Sequence, residues 1–331
     1  MADPLSNHQG QGVAVTIGHH PLIIHGDNRA LAAVTPAFAR LPRLERAAGS
    51  MPLHGHLQVA LRPEGDERWR NWPRGSHRCG QGFLAVVHHD PFAVELHQPA
   101  ADAAMEFQLS EAALNSGEHR AQPAHHALAA WLAQRGALMV HAGAVEVDGR
   151  ALLLVGRGGS GKSTTALACA QAGFGFLGDD LCVVEPADPA MGEPARVHAI
   201  YGTAKLCADS QERLSAENWP RLGVTPRGKW AVTLPDHLSV APSAALAAIV
   251  LVRPGAPSGR AQQAPVLPLS AMEALSGLAS TALPVANGSV TPSQWLRTMA
   301  ALLREVPVFS LELSWDLPAV ADRLRSILDG R

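Results

Sequence analysis

A glycine-rich loop, residues 156–163, has the residue types and the spacing that bind nucleotide phosphates. It satisfies the pattern G-x-x-x-x-G-K-[ST] with Gly156, Arg157, Gly158, Gly159, Ser160, Gly161, Lys162 and Ser163. Glycines let backbone N–H groups curl around a phosphate, and the N-terminus of a following helix adds partial positive charge. We therefore expect Lys162 to reach the β- and γ-phosphates, the Ser163 hydroxyl to ligate Mg²⁺, and Thr164 to adjoin the bound nucleotide.

Two adjacent carboxylates, Asp179 and Asp180, follow a short apolar segment at residues 174–177. Ligands of open α/β sheets bind outside the carboxyl ends of the strands, so both side chains are placed where chemistry occurs. One carboxylate can hold a metal ion, and the other can accept the proton of an attacking hydroxyl. Because side chains alternate along an extended chain, the two must divide these roles, or the chain must turn between them.

The segments around the loop are those that a phosphate-binding loop requires. Residues 151–155 are continuously apolar, which predicts a buried strand, and the spacing of residues 163–172 predicts a helix. Asp148 and Gly149 are a strong two-residue turn signal, so residues 137–147 should pair with the buried strand as a hairpin. The loop would thus run from the end of a buried strand into the start of a helix.

The rest of the chain divides into two compositions. Apolar spacing predicts one more buried strand and three helices, at residues 246–252, 124–134, 294–304 and 317–328. The N-terminal part instead alternates short apolar runs, at residues 13–17, 57–61 and 83–87, with proline, glycine and histidine clusters. We predict a β-rich N-terminal domain of residues 1–123 and an α/β P-loop domain of residues 124–331.

Pairs of adjacent histidines stand at residues 19–20, 88–89 and 125–126. Neighbouring side chains point to different sides of a strand or helix and make poor shared ligands. We therefore expect no metal site from such a pair.

Composition and charge restrict the classes of partner. The 331 residues are 47% hydrophobic, and 27 Lys and Arg nearly balance 29 Asp and Glu, so no basic excess favours nucleic acid. The four cysteines lack a CxxC spacing, which favours the reducing cytoplasm over a disulfide framework. No apolar segment approaches the ~20 residues of a membrane span, so we expect neither export nor insertion. The sequence leaves open whether the chain forms a homo-oligomer.

Lysine is rare in this chain and occurs only at Lys162, Lys205 and Lys229. Arginine supplies every other cation, so each lysine is a candidate for a site that needs a compact ammonium. Lys205 follows the only tyrosine, Tyr201, by four residues, and Lys229 shares a predicted turn with Arg227. Such a turn can steady a transferred phosphoryl group, although a solvated loop lysine is the alternative.

The order and spacing of these motifs resemble the catalytic domain of the HPr kinase/phosphorylase family. The resemblance covers residues 139–184: His141-Ala-Gly, the hairpin, the glycine-rich loop, and Phe-Gly-Phe-Leu-Gly-Asp-Asp. It implies a P-loop kinase fold shared with ATP-dependent phosphoenolpyruvate carboxykinase, with ATP and Mg²⁺ as cofactors and a serine hydroxyl as acceptor. It also implies that Asp179 is the base, assisted by an active-site His141, and that Asp180 and Ser163 hold the metal.

This chain departs from the family at Thr164, where glutamate is usual, and lacks a recognisable arginine-glycine segment. It is more similar to HPr-kinase-like proteins encoded beside peptide-modification or exopolysaccharide systems, some of which resemble kinases of lasso-peptide precursors. We therefore predict ATP-dependent phosphorylation of a serine or threonine on a peptide or small protein. The alternatives are a kinase of a small-molecule hydroxyl and a non-catalytic ATP-binding regulatory module.

Overall fold

The computed structural model describes residues 12–44, 55–62, 72–78, 84–89, 91–98, 104–255, 266–278, 281 and 290–330. Over this part of the chain, three β-sheets and eight α-helices form a mixed α/β fold, which confirms the predicted α/β class. Cys79 and Phe83, the latter at the start of a predicted strand, lie outside the described residues. Among the helices described, none is both long enough and apolar enough to cross a bilayer.

The first sheet has seven strands, numbered along the chain: β1 (Val13–Ile17), β2 (His20–Gly26), β3 (Gly55–Leu61), β4 (Gly75–Arg78), β5 (Leu84–His89), β6 (Phe92–His97) and β7 (Ala104–Leu109). Their order is β1-β2-β3-β7-β6-β5-β4, and β3 runs parallel to both neighbours. Helix α1 (Asn28–Phe38) packs on β2 and β3, and its N-terminus is capped by the Asp27 carboxylate. The strands predicted at residues 13–17 and 57–61 are confirmed.

Helices α2 (Gly117–Ala121) and α3 (His125–Ala133) connect the first sheet to the second. Helix α3 packs on β5, β6 and β7 and buries Trp131 completely, which confirms the helix predicted at residues 124–134. One hydrophobic core joins α1, the first sheet and α3 to Leu181, Val183 and Tyr201 from beyond the predicted domain boundary. The division into two domains at residue 124 stays a prediction.

The second sheet has nine strands: β8 (Leu138–Val140), β9 (Gly143–Val147), β10 (Arg150–Val155), β11 (Gly175–Gly178), β12 (Cys182–Glu185), β13 (Arg196–His198), β17 (Ser243–Pro254), β18 (Leu267–Pro268) and β19 (Val308–Leu313). Seven of them run in the order β11-β9-β10-β17-β13-β12-β8, while β19 pairs with β17 and β18. Residues 151–155 are all buried in β10, between antiparallel β9 and parallel β17. The strands predicted at residues 151–155 and 246–252 are confirmed.

The predicted hairpin is shorter than expected. Only residues 143–147 pair with β10, through a turn at Asp148 and Gly149, both with positive φ. Residues 138–140 pair with β12 instead. His141 therefore lies in the short connection between β8, which pairs with β12, and β9, which pairs with β10.

The third sheet is small and has the order β14-β16-β15, from β14 (Thr203–Leu206), β15 (Arg221–Val224) and β16 (Trp230–Thr233). Helix α5 (Ala208–Arg213) follows β14. The connection between β15 and β16 is a tight turn, since the Thr225 amide donates to the Lys229 carbonyl at 2.8 Å. This sheet carries Lys205 on a strand and Lys229 at the turn.

The C-terminal part adds the helices α6 (Ala271–Leu278), α7 (Pro292–Glu305) and α8 (Leu317–Leu328). A capping box between Thr291 and Gln294 begins α7. Helix α8 packs against α4 (Lys162–Gln171), the helix that follows the glycine-rich loop. The helices predicted at residues 294–304 and 317–328 are confirmed.

The glycine-rich loop leaves β10 after Val155 and enters α4 at Lys162, one residue before the predicted start. Gly156 has φ +152, and a Cβ built there would lie 2.6 Å from the Val252 carbonyl oxygen of β17. Gly161 is the N-cap of α4 with φ +98. Glycine is required at both positions because other residues rarely adopt these dihedrals.

Gly156→Ala should lower the free energy of unfolding by about 1–3 kcal/mol, because it adds a strained backbone to a clash with a neighbouring strand. Gly158→Ala is the matched control, since a Cβ there meets no atom within 4 Å, and we expect a change within about 0.5 kcal/mol. Urea titration followed by circular dichroism measures both. Equal stability of the two variants would contradict this account of the loop.

Candidate functional site

The chain turns sharply between the two adjacent aspartates at the end of β11. Asp180 has φ +69, and the Leu181 amide donates to the Asp179 carbonyl oxygen at 2.8 Å. Of the two arrangements that the sequence allowed, the structure has the turn. The two carboxylates therefore meet different partners.

Asp179 is buried beneath the first turn of α4, with 3% of its surface exposed. Its Oδ2 accepts the Lys205 backbone N–H at 2.9 Å, while Oδ1 has no hydrogen-bond partner among the described residues. Burial, and then the charge of Asp180, raise the pKa of the Asp179 carboxyl. The nearby Ser163 hydroxyl and the Lys205 amide act in the opposite direction. A further cation or hydrogen-bond donor would stabilise the ionised form of this carboxylate.

The Asp180 carboxylate has a cationic or hydrogen-bonding partner at each of its two oxygens. Its Oδ1 lies 2.7 Å from His141 Nε2, and its Oδ2 lies 2.7 Å from Lys205 Nζ. Burial alone would raise the pKa of the Asp180 carboxyl, but Lys205 and His141 outweigh it and hold that pKa well below its usual range. The partner of His141 is therefore Asp180, and not Asp179 as the family resemblance implied.

Lys205 is buried, and its ammonium has three acceptors. Besides Asp180, it donates to Glu118 Oε1 at 2.8 Å and to Gln122 Oε1 at 2.7 Å. These contacts overcome the cost of burial and hold the pKa of Lys205 above its ordinary value. Since an ammonium has three hydrogens, Lys205 is saturated and serves to position its neighbours.

Lys162 lies against its own loop, 6% exposed, with Nζ donating to the carbonyls of Gly156 at 2.8 Å and Arg157 at 3.1 Å. Burial lowers the pKa of Lys162, and Lys229 lowers it further, whereas Asp180 and Asp179 raise it. Lys162, Lys229 and the two aspartates are thus electrostatic neighbours in one site.

The remaining loop residues divide by exposure. Arg157, Gly158 and Gly159 are exposed, so their backbones are open to a ligand. Ser160 is buried, and its Oγ has no hydrogen-bond partner among the described residues. Thr164 directs its hydroxyl to Ser210 Oγ of α5 at 2.8 Å, on the side of the small sheet.

An open cleft of about 680 Å³ adjoins Asp180 and His141. Glu118 and Lys205 lie at the same end, and Arg74, Arg227 and Lys229 line it as well. Tyr201 is not part of this wall, because its buried hydroxyl donates to the Pro123 carbonyl at 2.7 Å. The sequence alone did not reveal Glu118 or Gln122, since no local spacing links α2 to residues more than eighty positions away.

No protein-family model matches the chain, and no curated protein matches it. One of 69 solved chains that match is the structure of the Hpr(Ser) kinase/phosphatase from Coxiella burnetii. That match has a TM-score of 0.32 and 10% sequence identity over 58% of this chain and 97% of the other. Values this low establish neither a common fold, nor a family, nor an activity for this chain.

Lys205→Met should lower the free energy of unfolding by about 1–3 kcal/mol near neutral pH, because it leaves the partly buried carboxylates of Glu118 and Asp180 without their cation. Lys229→Met is the matched control; it removes a half-exposed lysine and should change stability by less than about 0.5 kcal/mol. Because the pKa of Asp180 is held below its ordinary value of about 4, ionised Asp180 stabilises the fold at pH values above about 4. This contribution to the free energy of unfolding is lost as the pH falls through the lowered pKa. The difference in the free energy of unfolding between wild type and Lys205→Met should therefore become smaller at acidic pH. Urea titrations at several pH values measure it.

Proposed function

We propose that this protein is an ATP-dependent kinase that transfers the γ-phosphoryl group to a hydroxyl presented in the cleft. The observation that carries the proposal is the juxtaposition of the glycine-rich loop with the aspartate turn. Lys162 and both aspartates interact electrostatically. They follow the carboxyl ends of β10 and β11, which run in the same direction because both pair antiparallel with β9. Phosphoryl transfer needs little beyond such positioning and charge stabilisation.

The nucleotide would bind at the glycine-rich loop, which acts as the P-loop of the predicted P-loop kinase domain. Exposed backbone N–H groups of residues 157–159 and the N-terminus of α4 supply donors and partial positive charge for the phosphates. Lys162 would exchange its contacts with the Gly156 and Arg157 carbonyls for phosphate oxygens. Ammonium and phosphate then form charge-assisted hydrogen bonds, which are stronger than those to neutral carbonyls.

The residues present fit a magnesium ion beside the loop. Asp179 Oδ1 is a buried carboxylate oxygen without a hydrogen-bond partner among the described residues, and the Ser163 hydroxyl is its neighbour. Hydroxyl and carboxylate oxygens are the ligands that Mg²⁺ prefers. We therefore assign Ser163 and Asp179 to the metal side, in place of Asp180. Bound there, Mg²⁺ would offset phosphate charge as the γ-phosphoryl group leaves.

Asp180 is better placed than Asp179 to act as the base, because it lines the cleft, where an acceptor would enter. Its carboxylate stays ionised, and each oxygen keeps a second lone pair for a substrate hydroxyl. His141 orients this carboxylate from one side and Lys205 from the other. Lys229 and Arg227, at the turn on the cleft wall, would stabilise the charge on the transferred group.

The acceptor we propose is a serine or threonine of a peptide or small protein. The cleft is open and is lined by both predicted domains, with Arg74 and His88 from the first and Arg227 and Lys229 from the second. The two-domain division would thus place part of the acceptor site on residues 1–123 and the nucleotide site on residues 124–331. Cys169, Cys182 and Cys207 are free thiols, which fits a cytoplasmic reaction that uses ATP.

Lys162→Ala should abolish MgATP binding, because no other lysine lies within the loop to neutralise the phosphates. Isothermal titration with MgATP measures the loss, and an unchanged circular dichroism spectrum shows that the variant is folded. Wild-type affinity in the variant would sink the nucleotide assignment.

Asp180→Asn should keep MgATP affinity and reduce phosphoryl transfer by about 10²–10⁴-fold, the usual contribution of a positioned base. Asp179→Asn should instead weaken the Mg²⁺-dependent part of nucleotide binding. Titration with ATP, with and without Mg²⁺, gives the affinities, and γ-labelled ATP with a library of serine- and threonine-containing peptides gives the transfer. The opposite pattern would exchange the two roles.

The wild-type protein tests the acceptor class. If it binds MgATP but transfers phosphate to no peptide, the regulatory module or a small-molecule acceptor is favoured.

A further inference from the structure

A second group of ionisable side chains adjoins the same cleft, and two of its three members, His88 and His126, line it. It consists of His88 on β5, Glu95 on β6 and His126 in the first turn of α3, each with a ligand atom within 4.8 Å of the others. We propose that these three residues form a binding site for a divalent transition-metal ion of the Zn²⁺ type. This site goes beyond the proposed kinase activity and does not depend on it.

Glu95 is fixed as a metal ligand should be. It is 1% exposed, and its Oε2 accepts the backbone N–H groups of His126 at 2.7 Å and Ala127 at 3.1 Å. This caps the N-terminus of α3 and leaves Oε1 directed at His88 Nε2, 3.0 Å away. Carboxylates that ligate metals are themselves held by such outer hydrogen bonds.

The two imidazole rings are adjacent and differ in exposure. His126 is buried, with 8% of its surface exposed. His88 is partly exposed, and its ring stacks on that of His126 with centroids 5.5 Å apart. One nitrogen of each ring lies within 4.8 Å of the other and of a Glu95 carboxylate oxygen.

The ligand set and its place in the fold decide the class of ion. Two imidazoles and one carboxylate suit zinc, cobalt, nickel or copper rather than Mg²⁺, which prefers oxygen. Three protein ligands leave a fourth position, as in zinc sites that act on a bound molecule. Because His88 and His126 line the cleft together with His141 and Lys229, that position would face whatever molecule occupies the cleft.

The prediction that adjacent histidines do not share an ion is compatible with this site. The two histidine ligands come from different pairs, one from residues 88–89 and one from residues 125–126. His125 approaches Glu95 Oε1 only to 3.8 Å and also contacts the Gln122 carbonyl at 3.2 Å. Tertiary contact between β5, β6 and α3, rather than sequence adjacency, assembles the cluster.

Cobalt provides the test, because tetrahedral Co²⁺ absorbs visible light strongly and reports its own ligands. The full chain, free of nucleotide and Mg²⁺, should bind one equivalent of Co²⁺ at this site and release it to Zn²⁺. His88→Gln and His126→Gln should each lower the affinity for Co²⁺ by roughly 10²-fold or more. Such a loss is larger than most losses caused by mutating residues that only hydrogen-bond to a ligand. X-ray absorption of the cobalt-loaded wild type should show two imidazole ligands, which keeps the test valid if a variant fails to fold.

Matched controls separate this site from other histidines in the chain. His89→Gln removes the neighbouring ring, which contacts the Trp72 carbonyl at 2.8 Å, and should leave the spectrum intact. His141→Gln and His20→Gln test the aspartate site and the cluster around Glu185 in the same way. The proposal is overturned if wild type shows no saturable spectrum, or if the signal survives in the His88 and His126 variants.

Discussion

The contact between the Lys205 ammonium and the Asp180 carboxylate is the interaction on which the site depends. A buried lysine is costly unless its charge is matched, and here three oxygens surround it. Those oxygens come from α2, the loop before α3, and the turn after β11, so the ammonium joins three parts of the fold. Its partner Asp180 is thereby kept ionised and held in a single orientation.

This ion pair also gives the two adjacent aspartates different environments, which the sequence alone does not distinguish. Asp180 contacts Lys205 and His141 and lines the cleft. Asp179 is buried near Ser163, and its Oδ1 has no hydrogen-bond partner in the described part of the chain. Their pKa values are driven apart, upward for Asp179 and downward for Asp180, by burial and charge respectively. Carboxylates whose environments differ in this way can take different roles in one reaction.

The cleft combines groups that the chain keeps far apart in sequence. Its walls carry the acidic pair Glu118 and Asp180, the turn with Lys229, and the histidines of β5 and α3. A phosphoryl acceptor and a transition-metal ion would therefore share one space. Each proposal has its own readout, nucleotide affinity for one and the cobalt spectrum for the other, so either can fail without the other.

The sequence by itself determined the glycine-rich loop and its neighbours, because an apolar strand, a glycine turn and a helix are local patterns that can be recognised within a few residues. It also predicted the aspartate pair, the turn at Asp148 and Gly149, and the C-terminal helices. Only the tertiary structure decided that His141 contacts Asp180, that β8 pairs with β12, and that Lys205 is buried against Glu118, 87 residues away. Such contacts join distant segments through packing and charge, and no short-range periodicity records them.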